Sequence, residues 1–194
     1  MTLRLNGSTS GYVEIDAPAT AGSNTLVLPT GNGTSGQVLS TNGSGALSWI
    51  GAGKILQVVY GFTTTQVEAS FSSATDLGLS ASITPSSSSN KILVLVSANG
   101  IGVRGTGATS WNGYLVRAST NIGGFGNYLS NTYGNQGFWG ASLCVLDEPA
   151  TTSSTTYKLQ GIRRSGSDNC IFNITTGTAG TGTRSTITLM EVAA

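Results

Sequence analysis

Two patterns of apolar and polar residues follow one another along the chain. Between residues 11 and 49, short apolar alternations such as Tyr12–Ile15 and Leu26–Leu28 are separated by Pro, Gly, Asn and Ser. Alternation with such breakers predicts short strands and turns rather than helices. This segment holds too few bulky apolar side chains to bury a core of its own. The pattern therefore predicts that identical chains wrap around one another here and share a thin common core.

From Lys54 onward the apolar residues become denser and their runs become longer. KILQVVYGF (54–62) is nearly continuous and predicts a strand covered on both faces. DLGLSASI (76–83) alternates, and KILVLVSANG (91–100) is the most apolar run and predicts a central strand. Further strands are predicted in GYLVRAST (113–120), FWGASLCVLDE (138–148), TTSSTTYKLQGIRR (151–164), DNCIFNIT (168–175) and STITLMEV (185–192).

The number and spacing of these strands indicate the fold class. About eight or nine strands follow residue 54, which is the spacing of a β-sandwich and favours a jelly roll. No stretch has a convincing helical period. We therefore predict an all-β protein with a thin N-terminal β-thread or stalk over residues 1–53, which needs oligomerisation. A jelly-roll β-sandwich head is predicted over residues 54–194.

Composition excludes several classes of protein. Charged residues make up 9% of the chain and the formal net charge is +1, so the basic patch expected of a nucleic-acid-binding protein is missing. The chain has no run of about 18 apolar residues, so no membrane-spanning helix is predicted. We expect neither nucleic acid nor membrane insertion among the functions of this chain.

The residues for common enzyme chemistry are sparse. The chain has no histidine, which removes Ser-His-Asp and Cys-His arrangements and the usual general base. Glu14 with Asp16 and Asp147 with Glu148 are the closest carboxylate pairs, and neither predicts two carboxylates facing one another across a cleft. We expect no enzymatic activity, no cofactor and no metal ion.

Two cysteines, Cys144 and Cys170, lie in separate predicted strands. They are interpreted as buried free thiols that act as small apolar groups. A disulfide is the alternative if the two strands are neighbours.

Residues 111–139 hold seven of the fourteen aromatic residues of the chain, with Gly, Asn and Ser between them. Rigid rings mixed with small polar groups are typical of adaptable binding surfaces. Tyr114, Phe138 and Trp139 are interpreted as strand residues that pack the sandwich or a contact between chains. The other aromatics are assigned to a loop-like part, with exposure and inter-chain contact left open. The predicted receptor-binding residues are Trp111, Phe125, Asn127, Tyr128, Asn131 and Tyr133.

Arginines provide a second possible contact with a ligand. Arg117 and the pair Arg163 and Arg164 could contact anionic surface glycans. The alternative, which we favour, is a solvated strand edge protected by charge.

The block GYVEIDAPATAGSNTLVLPTGNGTSGQVLSTNGSGALSW resembles a motif of tail-fibre and related adhesion proteins of tailed bacteriophages, especially marine and cyanobacterial ones. KILQVV, SITPSSSSNKILVLV, YKLQ and STITLMEV resemble the globular tips of the same proteins. The resemblance covers almost the whole chain. It implies a trimeric tip with a jelly roll like the C1q/TNF fold.

On this basis we expect a homotrimeric tail fibre whose head binds a host-cell receptor, which is expected to be a glycan or an outer-membrane component. The N-terminal segment would attach to other tail or head proteins of the virion. The chain would be made in the host bacterial cytoplasm and would then reside in the virion. The alternative is a purely structural virion protein, such as a capsid decoration or head fibre, without receptor binding.

Overall fold

The computed structural model describes residues 3–20, 22–51, 53–105, 107–127, 139–174 and 183–194, with the backbone alone for Asn127. These residues form strands and turns and contain no helix, which confirms the all-β prediction. The strands are β1 (Leu3–Asn6), β2 (Tyr12–Ile15), β3 (Gln37–Thr41), β4 (Leu47–Gly51), β5 (Ile55–Thr63), β6 (Val67–Ala69), β7 (Thr75–Ile83), β8 (Lys91–Arg104), β9 (Ser110–Arg117), β10 (Thr120–Asn127), β11 (Trp139–Asp147), β12 (Thr155–Ser165), β13 (Asn169–Phe172) and β14 (Ser185–Val192).

The chain divides into two compact units, Met1–Ala52 and Gly53–Ala194. The first unit contains two antiparallel hairpins, β1 with β2 and β3 with β4. Val27 forms an isolated bridge with Ala46, so the predicted Leu26–Leu28 strand is reduced to one bridging residue. Arg4 pairs with Glu14 across the first hairpin, and the Trp49 indole donates a hydrogen bond of 2.7 Å to the Gly31 carbonyl oxygen.

The first unit has almost no interior. Its large apolar side chains are mostly exposed, and those on β1 and β2 are more than half exposed. The most exposed are Leu3, Leu5, Tyr12, Val13, Ile15, Leu26, Val27 and Leu28. Within one chain, the described residues therefore leave these groups uncovered, as the shortage of bulky apolar residues in this segment predicts.

The second unit is a sandwich of two antiparallel sheets. One sheet has the order β10-β9-β12-β7, and the other has β5-β14-β8 with β11 on the free side of β8. Beyond residue 98, β8 continues and pairs with β13, which pairs with β6. Because consecutive strands cross repeatedly between the two sheets, the topology is that of a jelly roll, as predicted.

Strict alternation puts one face of each strand into the core. Leu77, Leu79 and Ile83 of β7 are buried, and so are Ile92 and Val94 of β8. The remaining core is built from Phe71, Val96, Trp111, Leu115, Tyr157, Leu159, Phe172, Ile187 and Leu189, among others. Each such side chain stabilises the fold by about 1.5–3 kcal/mol relative to exposure.

The predicted cover on both faces of 54–62 is wrong for the single chain. In β5, Gln57, Val59 and Gly61 face inward, whereas Val58 and Phe62 are 58% and 55% exposed. The nearly continuous apolar run thus produces a strand with one core face and one uncovered apolar face.

Candidate functional site

Trp111, predicted as a surface residue of a loop, lies on β9 in the middle of the core and is fully buried. Its indole nitrogen donates a hydrogen bond of 3.0 Å to the Gly102 carbonyl oxygen, and its ring meets Phe71 edge to face at 5.1 Å between centroids. The predicted role of Trp111 as a receptor contact is therefore wrong, because a buried indole with a satisfied N–H presents nothing to a ligand.

Phe125 lies on the edge strand β10 rather than in a loop. Its half-buried ring covers Gly113 on the inner face and lies 6.3 Å from the Trp111 ring. Asn127 ends β10, and Tyr128, Asn131 and Tyr133 lie outside the described residues. The predicted contribution of these last residues to binding stays a prediction.

The outward face of the sheet β10-β9-β12-β7 carries a different constellation, which sequence reasoning missed. Tyr114 and Asn112 of β9 point away from the core, and the Asn112 amide donates a hydrogen bond of 3.3 Å to the Tyr114 hydroxyl. Gly124 and Gly126 of β10 pair with these two residues, and Gln160 of β12 pairs with Tyr114 on the other side. We call these five residues the Tyr114 surface.

Charged groups near the Tyr114 surface neutralise one another. The Asp76 carboxylate accepts a hydrogen bond of 2.7 Å from the Gln160 amide and one of 3.0 Å from the Lys158 ammonium. The hydrogen bond from Gln160, together with Lys158, holds the pKa of Asp76 below its usual range. The carboxylate is therefore ionised at neutral pH and balances the lysine beside it.

The other sheet, β5-β14-β8-β11, turns an apolar surface outward. One row across its four strands is Val58, Met190, Leu93 and Leu146, in that order. The next row is Tyr60, Thr188, Leu95 and Cys144. We call these eight residues with Leu56 and Phe62 the apolar face.

None of the ten residues of the apolar face carries a formal charge. Where the face ends beside Phe62, the Arg184 guanidinium lies 4.1 Å from the ring centroid. Monomeric proteins rarely leave large contiguous apolar patches uncovered. The apolar face is therefore a candidate contact surface.

Both cysteines are free, so the disulfide alternative is wrong. Cys170 is buried as predicted, and burial raises the pKa of its thiol to about 11. Cys144 is exposed on the apolar face, contrary to the prediction that both thiols are buried. The reactivity of the Cys144 thiol can therefore show whether the apolar face is covered.

Arg117 is held in an internal network instead of facing a ligand. It binds Asp147 with both carboxylate oxygens within 2.9 Å of one guanidinium nitrogen, and the Tyr157 hydroxyl donates to the same carboxylate at 2.7 Å. Burial, followed by the contact with Asp147, raises the pKa of Tyr157. This network ties β9, β11 and β12 together and has a structural role.

Among the described parts of the chain, no group of three or more acidic or thiol side chains could hold a metal ion. The same parts contain no helix of the length and apolarity needed to cross a membrane.

Comparison with known proteins identifies no relative by sequence. No protein-family model matches the chain, and no curated protein matches it. Among solved structures, the infectious bursal disease virus VP2 subviral particle matches 75% of this chain at 9% identity and a TM-score of 0.40. The structure of the Gt strain of the same virus matches 98% at 15% identity and a TM-score of 0.35.

This chain spans 35% and 46% of the length of those two viral chains. The similarities are too weak to transfer a function, which leaves the chemistry of the surfaces as the basis for any proposal.

Proposed function

We propose that this chain is a homotrimeric fibre protein of a virion, and that its sandwich unit binds a glycan on the surface of the host cell. The observation that carries this proposal is the pair of uncovered apolar surfaces, one in each unit. Copies of the same chain would cover both of these apolar surfaces. The resemblance of the N-terminal block to phage fibre motifs supports the virion location.

The size of the apolar face supports contact with another protein chain. Each outward side chain covers about 4.8 Å across the strands and about 6.8 Å along them, so the ten residues together cover roughly 330 Å². A patch of this size reaches the range of the largest apolar patches on monomers, which often mark interaction sites. It supplies about two fifths of the roughly 800 Å² that each partner buries in a standard interface.

Three features favour identical chains as the partner. The ten residues of the apolar face are uncharged, so like copies can meet there without placing like charges opposite one another. The exposed apolar side chains of residues 3–28 need a cover independently. Once copies of the chain associate through one of the two units, the peptide bond between the units keeps the other units of those copies close together. Their high effective concentration promotes association of the other units as well.

Glycan binding is supported by the surface that self-association leaves free. The Tyr114 surface is on the opposite sheet from the apolar face, so it stays open when the apolar face is covered. It offers an aromatic ring and amide groups without strong net charge, which suits stacking and hydrogen bonding more than long-range attraction. Three copies would convert weak single contacts into firm attachment.

A purely structural virion protein is the second candidate. The apolar face favours it, because the same face could pack on a different virion protein instead of on copies of this chain. Under that alternative the purified protein would not bind cells, whatever its own oligomeric state.

Assembly is tested by placing charges on the apolar face. Val58→Glu with Leu146→Glu alters the two ends of one row, and both side chains are more than half exposed, so the single chain should still fold. We expect wild-type protein to have the mass of a trimer in light scattering, and the double variant to have the mass of a monomer. Maleimide should label Cys144 slowly in the trimer and rapidly in the variant.

Ser80→Glu with Thr156→Glu, on the outward face of the other sheet, is the matched control and should remain trimeric. A monomeric wild type at micromolar concentration would contradict the proposal. So would a double variant that keeps the trimer mass with Cys144 protected.

The adhesive role has its own measurement, adsorption of purified fluorescent protein to host cells. We expect saturable binding at micromolar concentration that blocks virion adsorption. A trimer that shows no cell binding would favour the structural candidate.

A further inference from the structure

The hairpin of β9 and β10 contains four glycines, Gly113, Gly123, Gly124 and Gly126. Glycine weakens a strand by roughly 0.5–1 kcal/mol relative to alanine, so each such position needs a reason. In strands the usual reasons are a bulge or the close approach of another backbone or a ligand.

Three of the four glycines are explained by packing within the chain. A Cβ at position 113 would collide with the Phe125 ring. A Cβ at position 124 would lie 2.7 Å from the Gly113 carbonyl oxygen, which is closer than real Cβ contacts. Gly123 lies at a register shift of β10, where a Cβ would press on Val145 at 3.1 Å.

Gly126 has no such internal reason among the residues that the structure describes. It is exposed, its φ is outside the left-handed region, and the nearest atom to a Cβ would be the Asn112 side-chain oxygen at 3.9 Å. Among the residues that the structure describes, nothing would obstruct an alanine side chain at position 126. A strand glycine with open space above it is a position where a ligand can approach the backbone closely.

The surroundings of Gly126 indicate the chemistry of that ligand. Gly124 and Gly126 project no side chains outward, so they form the floor of a shallow groove beside the Tyr114 ring. Asn112 and Asn121 lie along this groove, and Gln160 borders Tyr114 on β12. Amide side chains both donate and accept hydrogen bonds, which matches the hydroxyl groups of a sugar. The aromatic ring offers a flat apolar surface for the C–H face of the same sugar.

The charges beside the groove favour a neutral ligand. Lys158 is paired with Asp76, and Arg117 is paired with Asp147, so neither is available for an anionic group. An acidic sugar would also meet the ionised Asp76 at the far side of Gln160.

We propose that the groove over Gly124 and Gly126 binds a neutral hexose glycan chain, with one ring stacked on Tyr114 and hydroxyls bound by Asn112 and Gln160. This inference deepens the proposed function, from which it takes the glycan class. It moves the predicted contacts from Trp111 and Phe125 to the outward face of the same hairpin.

The decisive variant is Gly126→Ala, because it adds one methyl group that the free chain tolerates and a ligand in the groove does not. The probes are maltohexaose, cellohexaose and mannohexaose, titrated separately into the full-length protein by calorimetry and by saturation-transfer NMR. We expect at least one of them to bind. We expect Gly126→Ala and Tyr114→Ala to weaken that binding at least about tenfold, and Tyr114→Phe to change it less than about threefold.

Gly51→Ala is the matched control, since position 51 is also a strand glycine where an added Cβ would have nothing within 4 Å. It should leave binding unchanged. The thermal midpoint of Gly126→Ala should equal or exceed that of the wild type, which separates loss of binding from loss of fold.

The proposal is overturned if none of the three neutral hexasaccharides binds, or if an oligogalacturonate binds and the neutral probes do not. Unchanged binding by Gly126→Ala and Tyr114→Ala would also overturn it. Measuring adsorption to cells distinguishes a failure of the groove proposal from a failure of the proposed adhesive function. If wild type and Gly126→Ala adsorb equally well, the groove is wrong and adhesion stands, whereas a wild type that does not adsorb contradicts adhesion itself.

Discussion

Glu191 is a buried carboxylate in the last strand and illustrates how a single residue can hold two segments together. It accepts hydrogen bonds from the Gln57 and Asn90 amides, both at 2.6 Å, and from the Ser86 backbone and hydroxyl, both at 2.7 Å. Burial opposes ionisation, but these four donors outweigh it and lower the pKa of Glu191 to about 2. The charged form therefore ties β14 to the serine-rich turn before β8.

This network predicts a specific acid sensitivity. Because the folded pKa lies below the unfolded value of about 4.5, the ionised Glu191 stabilises the fold fully above that value. The stabilisation, of about 1–3 kcal/mol, should be lost as the pH falls from about 4.5 to about 2. We expect Glu191→Gln to lower the free energy of unfolding in urea at pH 7 and to flatten its pH dependence over this interval.

Glu148→Gln is the control for this measurement, since the Glu148 carboxylate is exposed and pairs with Lys91 at the surface. Its stability at pH 7 should stay close to that of the wild type, because exposed ion pairs contribute little. If the pH dependence of the free energy of unfolding is the same in Glu191→Gln and in the wild type, the Glu191 carboxylate does not contribute to it.

At the scale of the element, β8 separates the core from the apolar face residue by residue. Ile92 and Val94 are fully buried between the sheets, whereas Leu93 and Leu95 point outward and are half-buried. The predicted central strand 91–100 therefore has two faces with different surroundings. Inward side chains stabilise the fold, and outward ones are available for assembly.

Two alanine variants test these roles. In the assembly-deficient background of Val58→Glu with Leu146→Glu, Ile92→Ala should cost about 2–5 kcal/mol in urea unfolding, because it opens a cavity in the core. Leu95→Ala should cost clearly less there, since its side chain is already partly in water. In the wild-type background, Leu95→Ala should instead weaken the trimer in light scattering. Equal losses for the two variants in the monomeric background would contradict the alternation.

The same elements show what the sequence can and cannot predict. Strict alternation in β7, β8 and β12 predicts strands and core faces correctly, because one residue in two must be apolar when one face is buried. The run 54–62 is misleading, since an apolar face that one chain leaves uncovered gives the same sequence pattern as a face buried within the chain. The Gly and Asn residues around Trp111 predict a loop, although the Trp111 indole fills the core.

The Tyr114 surface is within reach of sequence reasoning only in part. A strand is predicted at 113–120, and because successive residues of a strand point to opposite faces, Tyr114 and Leu115 are separated as the structure shows. Which face is inward, and which strand lies beside Tyr114, depends on pairing between residues distant in sequence. Glu191 shows the same limit, because its donors come from residues 57, 86 and 90, about 100 or more positions away.

At the scale of the whole molecule, the sandwich unit has two outward faces of opposite chemistry. The apolar face is uncharged and suits contact with other chains, while the opposite sheet carries the Tyr114 surface and the Asp76 pair. Because the two faces differ so much in chemistry, they would be expected to have different roles in an assembly. Covering the apolar face in a trimer would direct the Tyr114 surface of every copy outward, where a cell surface can reach it.

Assembly of this kind predicts a concentration-dependent thermal midpoint. When folded chains associate and unfolded chains do not, a hundredfold rise in protein concentration stabilises each chain of a trimer by about 2 kcal/mol. For a chain of this length that corresponds to a midpoint about 4–8 °C higher in scanning calorimetry. The Val58→Glu, Leu146→Glu variant should show a lower midpoint that does not move with concentration, and Ser80→Glu with Thr156→Glu should follow the wild type. A wild-type midpoint that stays fixed over this range, at scan rates slow enough for equilibrium, would mean that folding is complete within one chain and that the apolar face does not bind a copy of itself.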